Sequence, residues 1–225
     1  MTSIQTHIQS MRAQLPPSVR LVAVSKFHPA EAVQEAYEAG QRLFGESHAQ
    51  ELVPKARMLP SDIEWHFIGH LQTNKVKQII PYVACIQSVD SGRLLCEIDK
   101  QAARAGRVVD VLLQFHIARE ETKSGFTREE CLELLASPAF RQMTSVRVTG
   151  VMGMATATDD MEQVRREFHT LKALFEELRQ TVFAGRAEFC EISMGMSHDW
   201  PVAVEEGATL IRVGTAIFGQ RDYGK

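Results

Sequence analysis

Apolar residues in this chain follow two patterns that take turns: short continuous runs, and longer stretches spaced three and four apart. The first stretch puts Ile4, Ile8, Met11 and Leu15 on one helical face, and Pro16 and Pro17 end it. The run from Arg20 to Phe27 then reads as a buried strand. Pro29 opens a helix through Ala39 and Gly40 closes it, the usual asymmetry of a proline at the start and a glycine past the end. Further strands are expected at Arg42 to Glu46, Trp65 to Gly69, Ala84 to Val89, Val108 to Ile117, Val146 to Met154, Glu188 to Met194 and Leu210 to Phe218. Helical stretches lie between them: one to about Leu59, then Asn74 to Ile80, Gly92 to Ala105, and Trp200 to Glu206. Another begins at the capping box Thr127-x-x-Glu130. The clearest carries Val164, Phe168, Leu171, Leu174, Phe175 and Leu178 on one side.

Eight strand–helix alternations, less a final helix, call for parallel strands joined by right-handed crossovers. The strands are near-continuous runs, as a sheet covered on both faces requires. The expected fold is α/β, a single (β/α)8 TIM-type barrel with an extra N-terminal helix; a doubly wound open sheet is the competitor. No Gly/Ser-rich linker divides the chain, so residues 1–225 are expected to form one domain, with the helix of residues 1–18 packed on it.

Composition narrows the function. The chain has 225 residues, 44% hydrophobic and 24% charged, with a net charge of −3. The basic pairs Lys75/Lys77 and Arg165/Arg166 are short and mixed with apolar residues, so no nucleic-acid footprint is expected. Cys85, Cys96, Cys131 and Cys190 form no CxxC pair, which argues against a disulfide framework or a zinc site. The N-terminus has no apolar signal segment and no run reaches membrane-spanning length, so a cytoplasmic protein with no membrane partner is expected.

In such a barrel the loops after strands seven and eight commonly hold a phosphate. Here they read Ser193-Met194-Gly195-Met196-Ser197-His198-Asp199 and Arg212-Val213-Gly214-Thr215. Ser197 or Asp199 is suited to cap the short helix that follows, and Gly195 and Gly214 leave backbone bare. Each loop alone reads equally as a turn; together they point to an anion site. Lys26 ends the first apolar run, where it is either a surface lysine or a nucleophilic amine at the barrel mouth. Arg212 stands among apolar neighbours and needs either a ligand acceptor or a carboxylate. His66 and His70 share one expected strand face, but no third ligand lies near, so no metal is expected. Met152, Met154, Met194 and Met196 read as barrel filling.

The blocks Ala23-Val24-Ser25-Lys26, Phe44-Gly45-Glu46, Trp65-His66-Phe67-Ile68-Gly69-His70-Leu71-Gln72, Asn74-Lys75, Lys123-Ser124-Gly125-Phe126, Gly150-Val151-Met152, Ser193 to Ser197 and Arg212 to Gly219 resemble, in that order, the pyridoxal phosphate homeostasis protein family. The resemblance covers nearly the whole chain. It implies a barrel related to the N-terminal domain of alanine racemase and pyridoxal 5′-phosphate (PLP) held as an internal aldimine on Lys26. It places Arg212 against the pyridine nitrogen and gives the phosphate to Ser197, Gly214 and Thr215. The sequence departs from the family at Ser47, where the pattern has Asn, and in Gly150 to Thr156, which puts part of the pocket wall in doubt.

The function implied is PLP homeostasis: buffering of the cofactor and delivery to apo PLP-enzymes, by a monomer with no catalytic residue assigned. The alternative is a PLP-dependent, racemase-like enzyme of low activity. A racemase needs a second base, by analogy a tyrosine from an additional domain, and the sequence ends at Lys225, shortly after the eighth strand. Tyr37 and Tyr82 are expected in helical segments away from the mouth, leaving Tyr223 in the tail. A third class, a Schiff-base aldolase on a phosphorylated sugar, fits less well with a lysine on strand one.

Overall fold

In the computed structural model, which describes residues 2–120 and 124–220, eight parallel strands close into a barrel in sequence order. They are β1 (Arg20–Val24), β2 (Leu43–Glu46), β3 (Glu64–Phe67), β4 (Val83–Val89), β5 (Val109–Phe115), β6 (Val146–Gly153), β7 (Glu191–Ser193) and β8 (Leu210–Val213). Closure is made by β1 against β8, with Arg20 opposite Leu210 and Ala23 opposite Val213. Around them lie α1 (Ser3–Gln14), α2 (Ala30–Glu38), α3 (Ala49–Met58), α4 (Val76–Ile79), α5 (Gly92–Arg104), α6 (Arg128–Ala136), α7 (Pro138–Arg141), α8 (Met161–Gln180), α9 (Trp200–Glu205) and α10 (Thr215–Phe218).

The continuous apolar runs follow from this architecture. Alternate residues of a strand point to opposite faces, and here both faces are covered. Along β1, Leu21 and Ala23 join the large core under the helices, while Val22 joins Leu43, Cys85, Leu112, Met152 and Leu210 inside the barrel. On α8, Val164, Phe168, Leu171, Phe175 and Leu178 are buried against the sheet, with Leu174 at the margin. The helix α1 starts with a capping box between Thr2 and Gln5 and buries Ile8 and Met11. Its His7 ring nitrogen Nδ1 lies 2.9 Å from the Ile217 carbonyl oxygen, tying it to α10.

Several boundaries differ from expectation, and three of them bear on the site. The first strand stops at Val24, so Ser25, Lys26 and Phe27 form a turn. The third stops at Phe67, so His66 and His70 do not share a strand face. The eighth stops at Val213, and its apolar continuation Ala216-Ile217-Phe218 becomes α10, because Ile217 is buried by packing as a helix rather than by extending the sheet. The segment Asn74 to Ile80 is a 3-10 turn (Thr73–Lys75) followed by α4, and α7 is an additional short helix. Tyr82 stands in the turn before β4 rather than in a helix. Lys123 and Tyr223 lie outside the described residues. Among those residues no helix is long and apolar enough to cross a membrane. The four cysteines are free; Cys85 and Cys131 are buried, and Cys96 and Cys190 are exposed.

Candidate functional site

At the C-terminal end of the barrel a cavity of ≈ 500 Å³ opens, and it gathers residues from distant parts of the chain. Lys26 reaches it from the turn after β1, Ser197 from the loop after β7, and Arg212 and Gly214 from the end of β8. Thr215 does not line it; this residue is exposed at the first position of α10, next to the cavity edge. Four of the five expected ligand-binding residues therefore meet in one place. Ser47 lines the same cavity.

Two glycines let the last two loops approach. Gly195 has φ +91°, and a Cβ there would lie 2.6 Å from the Ala203 Cβ, so any other residue would strain the turn and collide with α9. A Cβ on Gly214 would press on the Val24 carbonyl oxygen at 3.1 Å. The bare backbone at Gly214 is what lets the end of β8 sit against the end of β1, beside Lys26. Neither Ser197 nor Asp199 caps α9 with its side chain. Instead Asp199, almost wholly buried, accepts the Met196 amide at 2.5 Å and closes the loop around Gly195. The first residues of α10, Thr215 and Ala216, have amides with no carbonyl within their own helix to bond.

Arg212 is buried, and its partners are not carboxylates. Its Nη1 donates to Ser193 Oγ at 2.7 Å and its Nη2 to the Gly153 carbonyl at 3.0 Å. The chain of bonds continues across the barrel: Ser193 Oγ donates to Gln87 Oε1 at 2.6 Å, and Gln87 Nε2 lies 2.7 Å from His66 Nδ1. Direction is fixed throughout, because an amide nitrogen only donates and His66 Nδ1 must therefore accept. Burial, and then the charge of Arg20, push His66 down to about 3, so its ring is neutral in the fold. Burial also lowers Arg212, to about 10, with Asp199 opposing the shift. Arg212 thus remains a cation at neutral pH, held edge-on by two neutral acceptors, with further N–H groups for whatever enters the cavity.

Apolar and polar walls complete the space. Val24, Ile68, Met154 and Met196 supply apolar surface, and Phe27, His48 and His70 stand at the rim. Of the four methionines expected to fill the barrel, Met152 is buried inside it and Met154 packs on the same interior cluster while also facing the cavity; Met194 is buried in the core under the helices, and Met196 faces the cavity. His70 Nδ1 lies 3.3 Å from an Asp90 carboxylate oxygen. Among the described residues no cluster could hold a metal ion. Tyr37 bonds Asp62 and Tyr82 accepts from Arg57, both away from the cavity. Gln114, which sequence reasoning did not single out, and Ser124, which it named only within the block Lys123 to Phe126, also face the space; Gln114 Nε2 holds the Ser124 carbonyl at 2.6 Å and so fixes the loop after β5. The cavity thus brings together an amine, a buried cation and the bare backbone of the β8 loop against apolar walls.

Comparison with known proteins gives the family and the fold. Residues 1–222 match the family described as alanine racemase, N-terminal domain. A pyridoxal phosphate homeostasis protein of Aquifex aeolicus is 40% identical over 205 residues, 91% of this chain and 88% of the relative. One of Pasteurella multocida is 36% identical over 231 residues, 100% of this chain and 97% of the relative. Among solved structures, PipY of Synechococcus elongatus with PLP bound has a TM-score of 0.86 at 40% identity, covering 96% of this chain and 100% of PipY. The alanine racemase of Clostridium difficile has a TM-score of 0.74 at 14% identity; 97% of this chain aligns to 56% of the racemase, which is a likeness of fold.

Proposed function

The chain belongs to the alanine racemase N-terminal domain family, and within it to the pyridoxal phosphate homeostasis proteins; on that premise we propose that it binds PLP through Lys26 and acts in intracellular PLP homeostasis, buffering the cofactor and passing it to apo-enzymes. The observation that carries the reading is convergence: an amine from the first strand's turn and the glycine-rich ends of the last two strands open into one cavity. The residues fit the cofactor. Ser197, the backbone at Gly214 and the opening amides of α10, with Thr215 beside them, suit a phosphate. Bound there, PLP supplies an aldehyde that condenses with an amine and a pyridine ring that accepts electrons.

The chain's own groups tune and limit that chemistry. Lys26 provides the amine. Arg212, cationic and fixed by Ser193 and Gly153, would donate to the pyridine nitrogen; a second cation in contact disfavours protonation of the ring and weakens it as an electron sink. Val24, Ile68 and Met154 line the cavity with apolar surface and would shield a bound ring from water. Among the described residues no tyrosine lines the cavity to serve as a second base. The weaker sink disfavours decarboxylation and transamination but not racemisation; the carrier reading leans on relatives named pyridoxal phosphate homeostasis proteins.

Two measurements decide it. Mixed with PLP, the protein gains a visible absorption band; Lys26→Ala does not, and a band that survives this change rules out Lys26 as the attachment point. Arg212→Ala keeps the band and shifts its maximum, because the ring nitrogen loses its donor. An unshifted maximum means that Arg212 does not touch the ring. Amino-acid racemisation at an ordinary enzymic rate, about 1–1000 per second, would replace the carrier reading with an enzyme.

A further inference from the structure

Beside the cavity, on the far side of the β1 turn, lies a charged cluster that no step above uses. Lys55, on α3, is buried; a lysine is almost never so deeply enclosed unless paired. Its Nζ donates to Glu46 Oε1 at 2.6 Å and to the Ser25 carbonyl at 2.9 Å, and stands 3.4 Å from Glu51 Oε2. Glu46, at the end of β2, has no exposed surface. Its Oε1 also accepts the Ser25 hydroxyl at 2.6 Å, while its Oε2 has no partner. Glu51 Oε2 accepts the Phe27 amide at 2.6 Å.

Every one of these bonds ends on the residue before or after Lys26, or on a group that does. The turn they grip is strained. Phe27 has φ +65°, the left-handed region, and is the one non-glycine residue there among those described. A bulky side chain in that conformation persists only when its surroundings over-determine it, and such strain gathers at ligand clamps. Burying the charged side chains of Lys55 and Glu46, with Glu51 half-covered beside them, is also costly, and a folded barrel does not require it. The strain and the buried charges coincide at the one turn that carries the amine.

We infer that Lys55, Glu46 and Glu51 form a clamp that positions Lys26, holding the turn of residues 25–27 so that its amine meets the carbonyl carbon of a bound aldehyde. This rests on Lys26 being the residue that captures PLP. In that capture the amine nitrogen bonds the aldehyde carbon, and the carbonyl oxygen leaves as water with both amine protons. The clamp takes no part in the bond exchange. Its effect is on the rate of capture, through the orientation of the attacking nitrogen.

The experiment separates capture from docking. Pyridoxine 5′-phosphate has an alcohol in place of the aldehyde, so it can occupy the phosphate and ring subsites without bonding Lys26. Wild-type protein, Lys55→Met, Glu51→Ala and Glu51→Gln are compared for the rate of covalent capture of PLP and for the dissociation constant of pyridoxine 5′-phosphate. Lys55→Met and Glu51→Ala are expected to slow capture at least about tenfold, since small misplacements of a reacting group cost that much or more. Their affinity for pyridoxine 5′-phosphate stays near wild type. Glu51→Gln, which keeps an acceptor for the Phe27 amide, restores most of the rate. Capture as fast as wild type in Glu51→Ala and Lys55→Met overturns the clamp. So does an equal loss of pyridoxine 5′-phosphate binding, which would make the cluster a support of the fold. If wild-type protein captures no PLP at all, the proposed function fails instead.

Discussion

His66 shows how a single buried residue ties pH-dependent stability to the hydrogen-bond network that ends on Arg212. Its ring is neutral in the fold down to about 3, whereas in the unfolded chain it takes a proton near 6.5. Between those values the unfolded state holds one proton more, so stability rises with pH across the window and falls on acidification. The slope from this residue alone is about 1.4 kcal/mol per pH unit. His66→Gln keeps an acceptor for Gln87 and removes the titration. Denaturant unfolding at pH 7, 6 and 5 is therefore expected to show a shallower loss of stability in the variant than in wild type; parallel losses would show that another group dominates. The same residue marks the limit of reading the site from sequence. Lys26, Ser197 and Gly214 were legible because they follow apolar strands in the loops that barrels use, and Arg212 because it is a charge within an apolar strand. The chain from His66 through Gln87 and Ser193 to Arg212 was not, because its members sit on four strands and neither chain position nor composition links them. Lys55 was hidden for a different reason: on a helix, a lysine reads as solvated, and only its ties to Glu46 and Ser25 reveal that it is buried.

At the scale of elements, local chemistry decided some boundaries and packing decided others. Thr127 accepts the Glu130 amide while Glu130 accepts the Thr127 amide at 2.9 Å, so the start of α6 is set by the side chains that announce it. Thr127→Ala is expected to cost about 1 kcal/mol, measured as a lower denaturant midpoint with an unchanged slope; no change would mean that water satisfies the freed amide as well as threonine does. The long amphipathic face of α8 was equally legible, since nothing but a helix places Val164, Phe168, Leu171, Phe175 and Leu178 together. The end of β8 was not. Leu210 to Phe218 is apolar apart from Arg212, Gly214 and Thr215, and periodicity alone cannot separate a strand from a buried helical turn in so short a run. What separates them is tertiary: β1 pairs with β8 only as far as Val213, and beyond it Ile217 packs as part of α10, with its carbonyl beside His7 of α1. The strand's early end is also what exposes the amides of Thr215 and Ala216 beside the cavity.

For the molecule as a whole, closure of the barrel is what makes the site. Lys26 and Gly214 are almost the full chain apart, and only the pairing of β1 with β8 brings their loops together. A ligand bonded to Lys26 and seated on the β8 loop therefore spans the seam at which the barrel closes. Binding to the folded state alone stabilises it by mass action, about 2.7 kcal/mol at a hundredfold excess over the dissociation constant. For a chain of this size each kcal/mol raises the melting temperature by about 2–4 °C, so saturating PLP is expected to raise it by roughly 5–10 °C. Mass action alone does not say where the protection falls. If the ligand joins the two ends, amide hydrogen exchange slows in residues 24–28 and in residues 214–219 together, while the loops at the opposite end of the barrel are protected only to the extent that global unfolding is suppressed. Lys26→Ala keeps the anion subsite and loses the bond to β1, so the added protection is expected to persist at 214–219 and to vanish at 24–28. Protection confined to one loop in wild-type protein would mean that the ligand does not bridge the seam, and the shared cavity would then hold two separate binding events.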